Sequence, residues 1–272
     1  MSIRIVTDST ADIPVEIANK LNIKVVPLNV HFGQSTFKDG IDLTTDNFFD
    51  KLIQGPHFPS TSQPSIGDFM EAYKPIIEKG DEIISIHISS KLSGTTNSAI
   101  QAAEQLKDDG NIAVVDTLQA SLTVGLTAMA AAKAVLEGKV FQEVVDLAKS
   151  TSDRAELFAL LDTLEYLEKG GRIGKARALV GGLLKIKPLI TIMDGEVGEF
   201  GKVRSRQSGI QKLKEVCQNA GNLESLVVAY STEEEDALKL SQELTSILPG
   251  SESPMIARVG PVIGTHAGPR VI

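Results

Sequence analysis

The sequence contains no tryptophan, and three tyrosines with nine phenylalanines bring its aromatic content to only 4%. A core built from it is mostly aliphatic, and a stacking platform for single-stranded nucleic acid is poorly supplied. Cys217 is the only cysteine, which excludes an intramolecular disulfide and a thiolate metal cluster. Positive charge is scarce as well: 27 Lys and Arg face 35 Asp and Glu, a net charge of −8. That is the wrong sign for a general polyanion binder, so no nucleic acid partner is expected. Long apolar runs are missing too. The most lipid-like stretch, Thr117 to Ala132, holds sixteen uncharged residues, short of the ~20 that a spanning helix needs, and reads as a buried helix without stable membrane insertion. Residues Met1 to Asp8 lack the apolar stretch and small-residue cleavage site of a signal peptide, which points to a cytoplasmic location.

What the chain does have is ordinary globular material. Its 272 residues are 42% hydrophobic and 23% charged, enough at ~150 residues per domain for one or two domains with a sizeable core. Ile3 to Thr7, Lys24 to Phe32, Asp81 to Ser89 and Asn111 to Asp116 are short, rich in Ile and Val, and predict strands. Asp12 to Leu21, Phe48 to Ile53, Asp68 to Glu78, Leu92 to Leu106 and Ala120 to Leu136 carry helical spacing. This alternation predicts an α/β fold whose N-terminal domain is a parallel sheet between two helical layers, with ligands at the C-terminal ends of the strands. Beyond Thr151-Ser152-Asp153 the pattern changes. Apolar runs lie at Leu157 to Leu161, Lys187 to Met193, Leu226 to Tyr230 and Ile256 to Ile263, and Asp194-Gly195 marks a hairpin. Thr232-Glu233-Glu234-Glu235 reads as a capping box. The expected organisation is an α/β domain over residues 1–152 and an α+β domain over residues 153–272.

Three hydroxyl-rich segments fall at expected strand ends. Asp8-Ser9-Thr10-Ala11-Asp12 reads as a strand exit with turn closure as readily as a ligand loop. In Thr61-Ser62-Gln63-Pro64-Ser65, Ser65 makes a capping box with Asp68, while Thr61 and Ser62 are freer to face a ligand or solvent. Ser89 to Asn97 joins a strand to a helix and gathers hydroxyls and Gly94 around unsatisfied helix amides, an arrangement suited to a small oxyanion. Ser93 reads equally as a helix cap and as a ligand contact. A nucleophile elbow needs glycine two residues before and two after the serine, where this chain has Lys91 and Thr95.

Among the histidines, His31 and His87 fall in expected strands and His57 in a loop, whereas His266 lies in Gly264-Thr265-His266-Ala267-Gly268-Pro269 and alone has an evident functional context. No pair has metal-ligand spacing, so neither a metal nor another cofactor is expected. Gly170-Gly171-Arg172-Ile173-Gly174 matches neither a dinucleotide fingerprint nor a P-loop. It sits in an acid-free basic run of Lys169, Arg172, Lys175, Arg177, Lys185 and Lys187. That run is either solvated surface or, with Lys202, Arg204 and Arg206, a docking face for an acidic partner or phosphate.

Taken in order, Asp8 to Asp12, Thr61 to Ser65, Ser89 to Thr96, Glu168 to Gly174 and Gly264 to Pro269 resemble the motifs of the DegV family across nearly the whole chain. These are the bacterial fatty-acid-binding proteins that serve fatty acid kinase. The resemblance implies two α/β domains with a long-chain fatty acid in a tunnel, its carboxylate at the domain interface and its tail in an apolar interior. Carried over motif by motif, Thr61, Ser93 and His266 are the carboxylate contacts and Ser62, Gly94, Thr95 and Thr265 their neighbours, while Arg172 and Arg204 are candidates for kinase docking or phosphate contact. It also implies a non-catalytic carrier: a separate ATP-dependent kinase subunit converts the bound carboxylate to an acyl phosphate for phospholipid synthesis.

At ~0.8 kcal/mol per buried methylene, a tail of about fifteen contributes on the order of 12 kcal/mol before ordering costs, so a deep aliphatic cavity is expected. Leu122, Val124, Leu126 and Met129, together with Leu183, Leu184 and Ile186, are candidate lining residues, with ordinary core the default reading for any one of them. Two departures from the family pattern stand out. The family generally continues past its His-Gly-Pro motif with another glycine and a short apolar strand, where this sequence reads Pro269-Arg270-Val271-Ile272, implying a looser pocket. Thr117 stands where serine is common. Two rival readings remain: a serine-dependent acyl hydrolase using Ser93 and His266, and a protein-interaction module using the basic run.

Overall fold

The computed structural model describes residues 2–179, 186–248 and 253–272; Leu183, Leu184 and Lys185 lie outside them. In chain order the first half holds β1 (Ile3–Asp8), α1 (Val15–Lys20), β2 (Lys24–Val26), β3 (Asn29–Phe32), β4 (Ser35–Lys38), α2 (Thr45–Gln54) and β5 (Ser60–Ser62). There follow α3 (Ile66–Ile77), β6 (Glu82–His87), α4 (Thr95–Gln105), β7 (Ile112–Asp116), α5 (Leu122–Leu136) and α6 (Phe141–Arg154). Strands β2, β1, β6 and β7 form, in that order, an entirely parallel sheet. Side chains alternate between its faces: Ile5, Ile84 and Ile86 pack with α5 and α6, whereas Val6 and Ile83 pack with Phe69 and Tyr73 of α3 and Ala99 and Ala102 of α4. Both faces are covered, which is why these strands read as nearly continuous Ile and Val.

Lys24 to Phe32 is not one strand. Pro27 has no N–H to give a ladder, so β2 ends before it, and the Leu28 amide turns instead to Ser9 Oγ at 3.0 Å. The chain resumes as β3 in a separate antiparallel sheet of order β4-β3-β5, with Gly33 at φ +59° making the β3–β4 turn. Positive φ at that turn is what glycine supplies.

The second half runs β8 (Phe158–Leu160), α7 (Glu165–Lys169), β9 (Lys187–Met193), β10 (Glu196–Val203), α8 (Arg206–Asn219), β11 (Val227–Tyr230), α9 (Glu234–Leu244), β12 (Met255–Arg258) and α10 (Pro261–Ala267). Strands β10, β9 and β8 are antiparallel, turning at Asp194-Gly195 as the sequence predicts, and β11 pairs with β12 in parallel. Ile256 to Ile263 does not stay extended: Pro261, fixed at a helical φ in the first turn, opens α10 directly behind Gly260. The Ser65–Asp68 capping box is present in both directions. The one expected at Thr232 is not. Glu233 is the N-cap without a side-chain bond, and Thr232 Oγ1 accepts from the Arg270 amide at 2.9 Å.

Helix α6 passes through the expected boundary residues and ends at Arg154. Helix α10 crosses back to the first half, where Val262 is buried with Val30, Phe48 and Phe49. A Cβ on Gly264 would lie 2.7 and 2.9 Å from the two phenylalanine rings, so only glycine permits this approach. Ile272 exchanges amide–carbonyl bonds with Leu160. Among the described residues no helix is long and apolar enough to cross a membrane.

Candidate functional site

A cavity of about 600 Å³ lies between the strand-end loops of the parallel sheet and the second half of the chain. Thr10, Thr61, Ser93, Ser121, Arg172 and His266 line it with polar groups. Elsewhere its wall is mainly aliphatic, from Leu122 and Leu126 of α5, Leu147 of α6, Leu213 and Val216 of α8 and Val228 of β11, with polar groups such as Thr151, Asn222 and Ser225 also in it. Arg154, ion-paired to Glu224 at 2.7 Å, stands at its rim between α6 and the segment after α8.

Of the residues singled out in the sequence, Thr61, Ser93, His266 and Arg172 meet in this wall. Strand β5 explains why Thr61 and Ser62 part company. Thr61 is paired with buried Val30, whereas Ser62 is paired with Asn29 on the opposite face and bonds His31 Nε2 at 3.0 Å, outside the cavity. Gly94 is the N-cap of α4 and packs against Gln63, where a Cβ would meet Gln63 Nε2 at 2.4 Å. Thr95 is buried behind Ser93, their hydroxyl oxygens 2.8 Å apart. Thr265 spends its hydroxyl on the Pro261 carbonyl at 3.0 Å, one turn back in α10, and does not face the cavity. Arg204 is exposed and lies outside the cavity wall. Among the expected lining residues, Leu122 and Leu126 do line the cavity; Val124 and Met129 point into the core under the sheet instead, and Ile186 is not in the wall.

The polar end is held together by long-range contacts. His266 Nε2 and Thr61 Oγ1 are 2.9 Å apart, joining α10 to β5. Arg172 donates from Nε to the Leu92 carbonyl at 3.1 Å and from Nη1 to the Gly170 carbonyl at 2.8 Å, so it fastens the Ser93 loop to the turn after α7. Gly170 in turn abuts the imidazole: a Cβ there would lie 2.2 Å from His266 Nδ1. Burial, assisted by the nearby Arg172 guanidinium, holds the His266 pKa down at about 4, so the ring is neutral at pH 7. Its Nδ1 is buried with no hydrogen-bond partner.

Hydroxyls, a neutral imidazole and a guanidinium at the end of an aliphatic space can hold a carboxylate by charge-assisted hydrogen bonds. They do not make a serine hydrolase. The imidazole is bonded to Thr61, Ser93 is bonded to Thr95, and no acid sits on Nδ1 to orient the ring. The basic run is not a bare cationic face either, since Lys169, Lys175 and Lys187 pair with Glu165, Asp194 and Asp162. No cluster of three metal-ligating side chains occurs among the described residues.

Sequence reasoning missed Thr10, Ser121 and the wall supplied by α8. It also passed over His87, which is fully buried with Nδ1 2.9 Å from Asp8 Oδ2 and Nε2 2.6 Å from Ser85 Oγ. Thr10 and Asp8 lay in a motif it had identified; α8 offered only an ordinary amphipathic pattern.

The model of the DegV family matches residues 2–272. A DegV domain-containing protein of Deinococcus radiodurans is 37% identical, the alignment covering 100% of this chain and 97% of that protein. A fatty-acid-binding DegV family protein from Thermus thermophilus superposes with a TM-score of 0.91 at 36% identity, over 100% of this chain and 97% of the other. A stearic acid-binding protein from Eubacterium ventriosum does so with a TM-score of 0.86 at 30% identity, over 100% and 96%. With its motifs in order, its fold shared and the family model met along its length, this chain belongs to the DegV family.

Proposed function

We propose that this protein is a non-catalytic carrier that takes up one long-chain fatty acid and presents its carboxylate to a separate kinase subunit in the cytoplasm. The observation that carries this reading is the aliphatic cavity ending in the Thr61–His266 pair, with Ser93 and Arg172 beside it. The fatty-acid-binding structures from Thermus thermophilus and Eubacterium ventriosum, which share the fold, support the same ligand class. The two domains of the carrier are residues 1–152 and 153–272, and the ligand's head lies where they meet.

Tail burial at ~0.8 kcal/mol per methylene supplies most of the affinity, while the polar end supplies orientation. Thr61, Ser93 and His266 contact the carboxylate, and the Arg172 guanidinium favours its anionic form. The one hydroxyl bonded to the imidazole, that of Thr61, faces a ring whose pKa is held down at about 4 and whose Nδ1 has no acid behind it, a weak base for activating a nucleophile, so the reactive step is assigned to the partner. There a carboxylate oxygen attacks the terminal phosphorus of ATP, ADP departs, and an acyl phosphate for phospholipid synthesis results. Arg204, exposed and in no ion pair among the described residues, is a docking contact for that partner.

Native mass spectrometry of the purified protein, followed by lipid extraction, tests the ligand. One fatty acid per chain is expected; protein that carries none and takes up none overturns the reading. Arg204→Ala is expected to retain the lipid but slow acyl-phosphate formation by the kinase subunit with ATP. An unchanged rate removes Arg204 from the interface.

A further inference from the structure

The carboxyl group of Asp12 has no part in the function proposed above, yet it joins two elements of the polar end. Asp12 closes the short turn after β1. Its Oδ2 lies 2.6 Å from Ser121 Oγ, and its Oδ1 accepts the Gly260 amide at 2.9 Å across 248 residues of sequence. Ser121 is the N-cap of α5 and lines the cavity. Gly260 is the N-cap of α10, the helix that carries His266.

We propose that Asp12 is a positioning residue for head-group binding, tying the N-terminal end of α5 to that of α10 and thereby fixing His266 against Thr61. This rests on the reading that the cavity holds a fatty acid by its carboxylate. Helix α10 has only seven residues, too few to be stable alone, and its N-cap is a glycine with no side chain to satisfy the first turn. Asp12 accepts the amide of that N-cap residue itself from the other half of the chain, while Asp39 takes the Val262 amide in the first turn. Ser121 has φ 54° and ψ −139°, a backbone state that persists in a non-glycine residue only when its surroundings enforce it, and its side chain does not cap its own helix. The bond to Asp12 is one such enforcement. One carboxyl thus anchors both helix starts.

The chemistry of the group agrees with the geometry. Burial pushes the Asp12 pKa up to about 8, against the lowering pull of Ser121 and the Gly260 amide and with the help of the Asp39 and Asp8 carboxylates. At neutral pH it is largely the neutral acid; the Ser121 hydroxyl donates to one oxygen and the Gly260 amide to the other, and because a hydroxyl also accepts, the Ser121 contact survives when the group opposite it is a donor. Asparagine can reproduce both bonds. Asp12 also sits at φ 51°, ψ 25°, a left-handed conformation that asparagine and glycine tolerate well. Glycine therefore removes the tie without imposing backbone strain.

The test compares wild type, Asp12→Asn and Asp12→Gly, each stripped of lipid. Titration of the His266 ring by NMR reports helix α10 without any ligand. The ring is expected to titrate near its wild-type value in Asp12→Asn and to move up toward the ordinary value near 6.5 in Asp12→Gly. The ratio of palmitate to hexadecanol affinity then reports the head group: about a tenfold fall in Asp12→Gly, through palmitate alone, and little change in Asp12→Asn. An unchanged His266 titration and ratio in Asp12→Gly overturns the proposal, as does an Asp12→Asn variant that behaves like Asp12→Gly. If Asp12→Gly does not fold, Ser121→Ala releases one end of the tie, and a His266 titration that stays at the wild-type value is then the overturning result. Failure of wild type to prefer palmitate over hexadecanol counts against the carboxylate reading itself and leaves the His266 titration to decide the role of Asp12.

Discussion

The two ends of the cavity are built by different rules. At the polar end, each functional side chain comes from a different segment, and long-range contacts such as Thr61–His266 and Arg172–Leu92 hold them in place. At the apolar end, the wall is helix and strand surface, where Leu126, Leu147, Leu213 and Val216 contribute only shape and carbon. Hydrogen bonds are directional and cost free energy when left unmade, whereas apolar burial scales with area and tolerates rearrangement. The polar end is therefore suited to discriminating among ligands and the apolar end to setting how tightly they bind.

The largest expected effect breaks the apolar side. Shortening the ligand from palmitate to octanoate removes eight methylenes, about 6 kcal/mol or roughly four orders of magnitude in affinity, read by calorimetry. Ala130→Phe, which adds a ring to the cavity wall, should shift the preferred chain downward by a few carbons. An affinity independent of chain length would show that the tail does not use this space.

A smaller effect sharpens the polar side. Gly170 is in an ordinary right-handed conformation, so Gly170→Ala imposes no backbone strain, yet its Cβ would displace the His266 ring from Thr61. Palmitate affinity is expected to fall about tenfold to a hundredfold, as for His266→Ala, with hexadecanol unaffected. Equal losses for both ligands would place the damage in the fold.

The smallest effect concerns pH. The folded-state pKa values of Asp12 and Asp39, raised to about 8 and about 7 chiefly by burial, lie above their unfolded values. Their contribution to stability is present at pH 4 and is lost as pH rises through 7 and 8. His266, held at about 4, acts oppositely: its contribution is lost as pH falls from 6.5 toward 4. The melting temperature of Asp12→Asn minus that of wild type should accordingly widen between pH 5 and pH 8. A constant difference would mean that Asp12 is ionised throughout.

The same contrast governs what the sequence revealed. The strands of the parallel sheet are legible because they are buried on both faces, and the Asp194-Gly195 hairpin and Ser65 cap because their chemistry is local. Thr61, Ser93 and His266 were reached through family motifs, and the fold brings them together in one wall. Ser62 was misplaced because its face depends on pairing with β3, and Thr265 because its segment proved helical, which let the hydroxyl turn back on Pro261. Val124 and Met129, for which core is the default reading, do lie in the core; α5 is apolar on nearly every side, so periodicity alone cannot tell core from cavity wall.

Cys217 lines the apolar end, and burial raises the pKa of its thiol above the ordinary value. Its sulfur is consequently protonated at neutral pH, on a side chain that is half-buried in the cavity wall. As the chain's single thiol, it makes the protein its own occupancy gauge: a small neutral alkylating agent should label it slowly at neutral pH, and more slowly still once lipid has filled the interior.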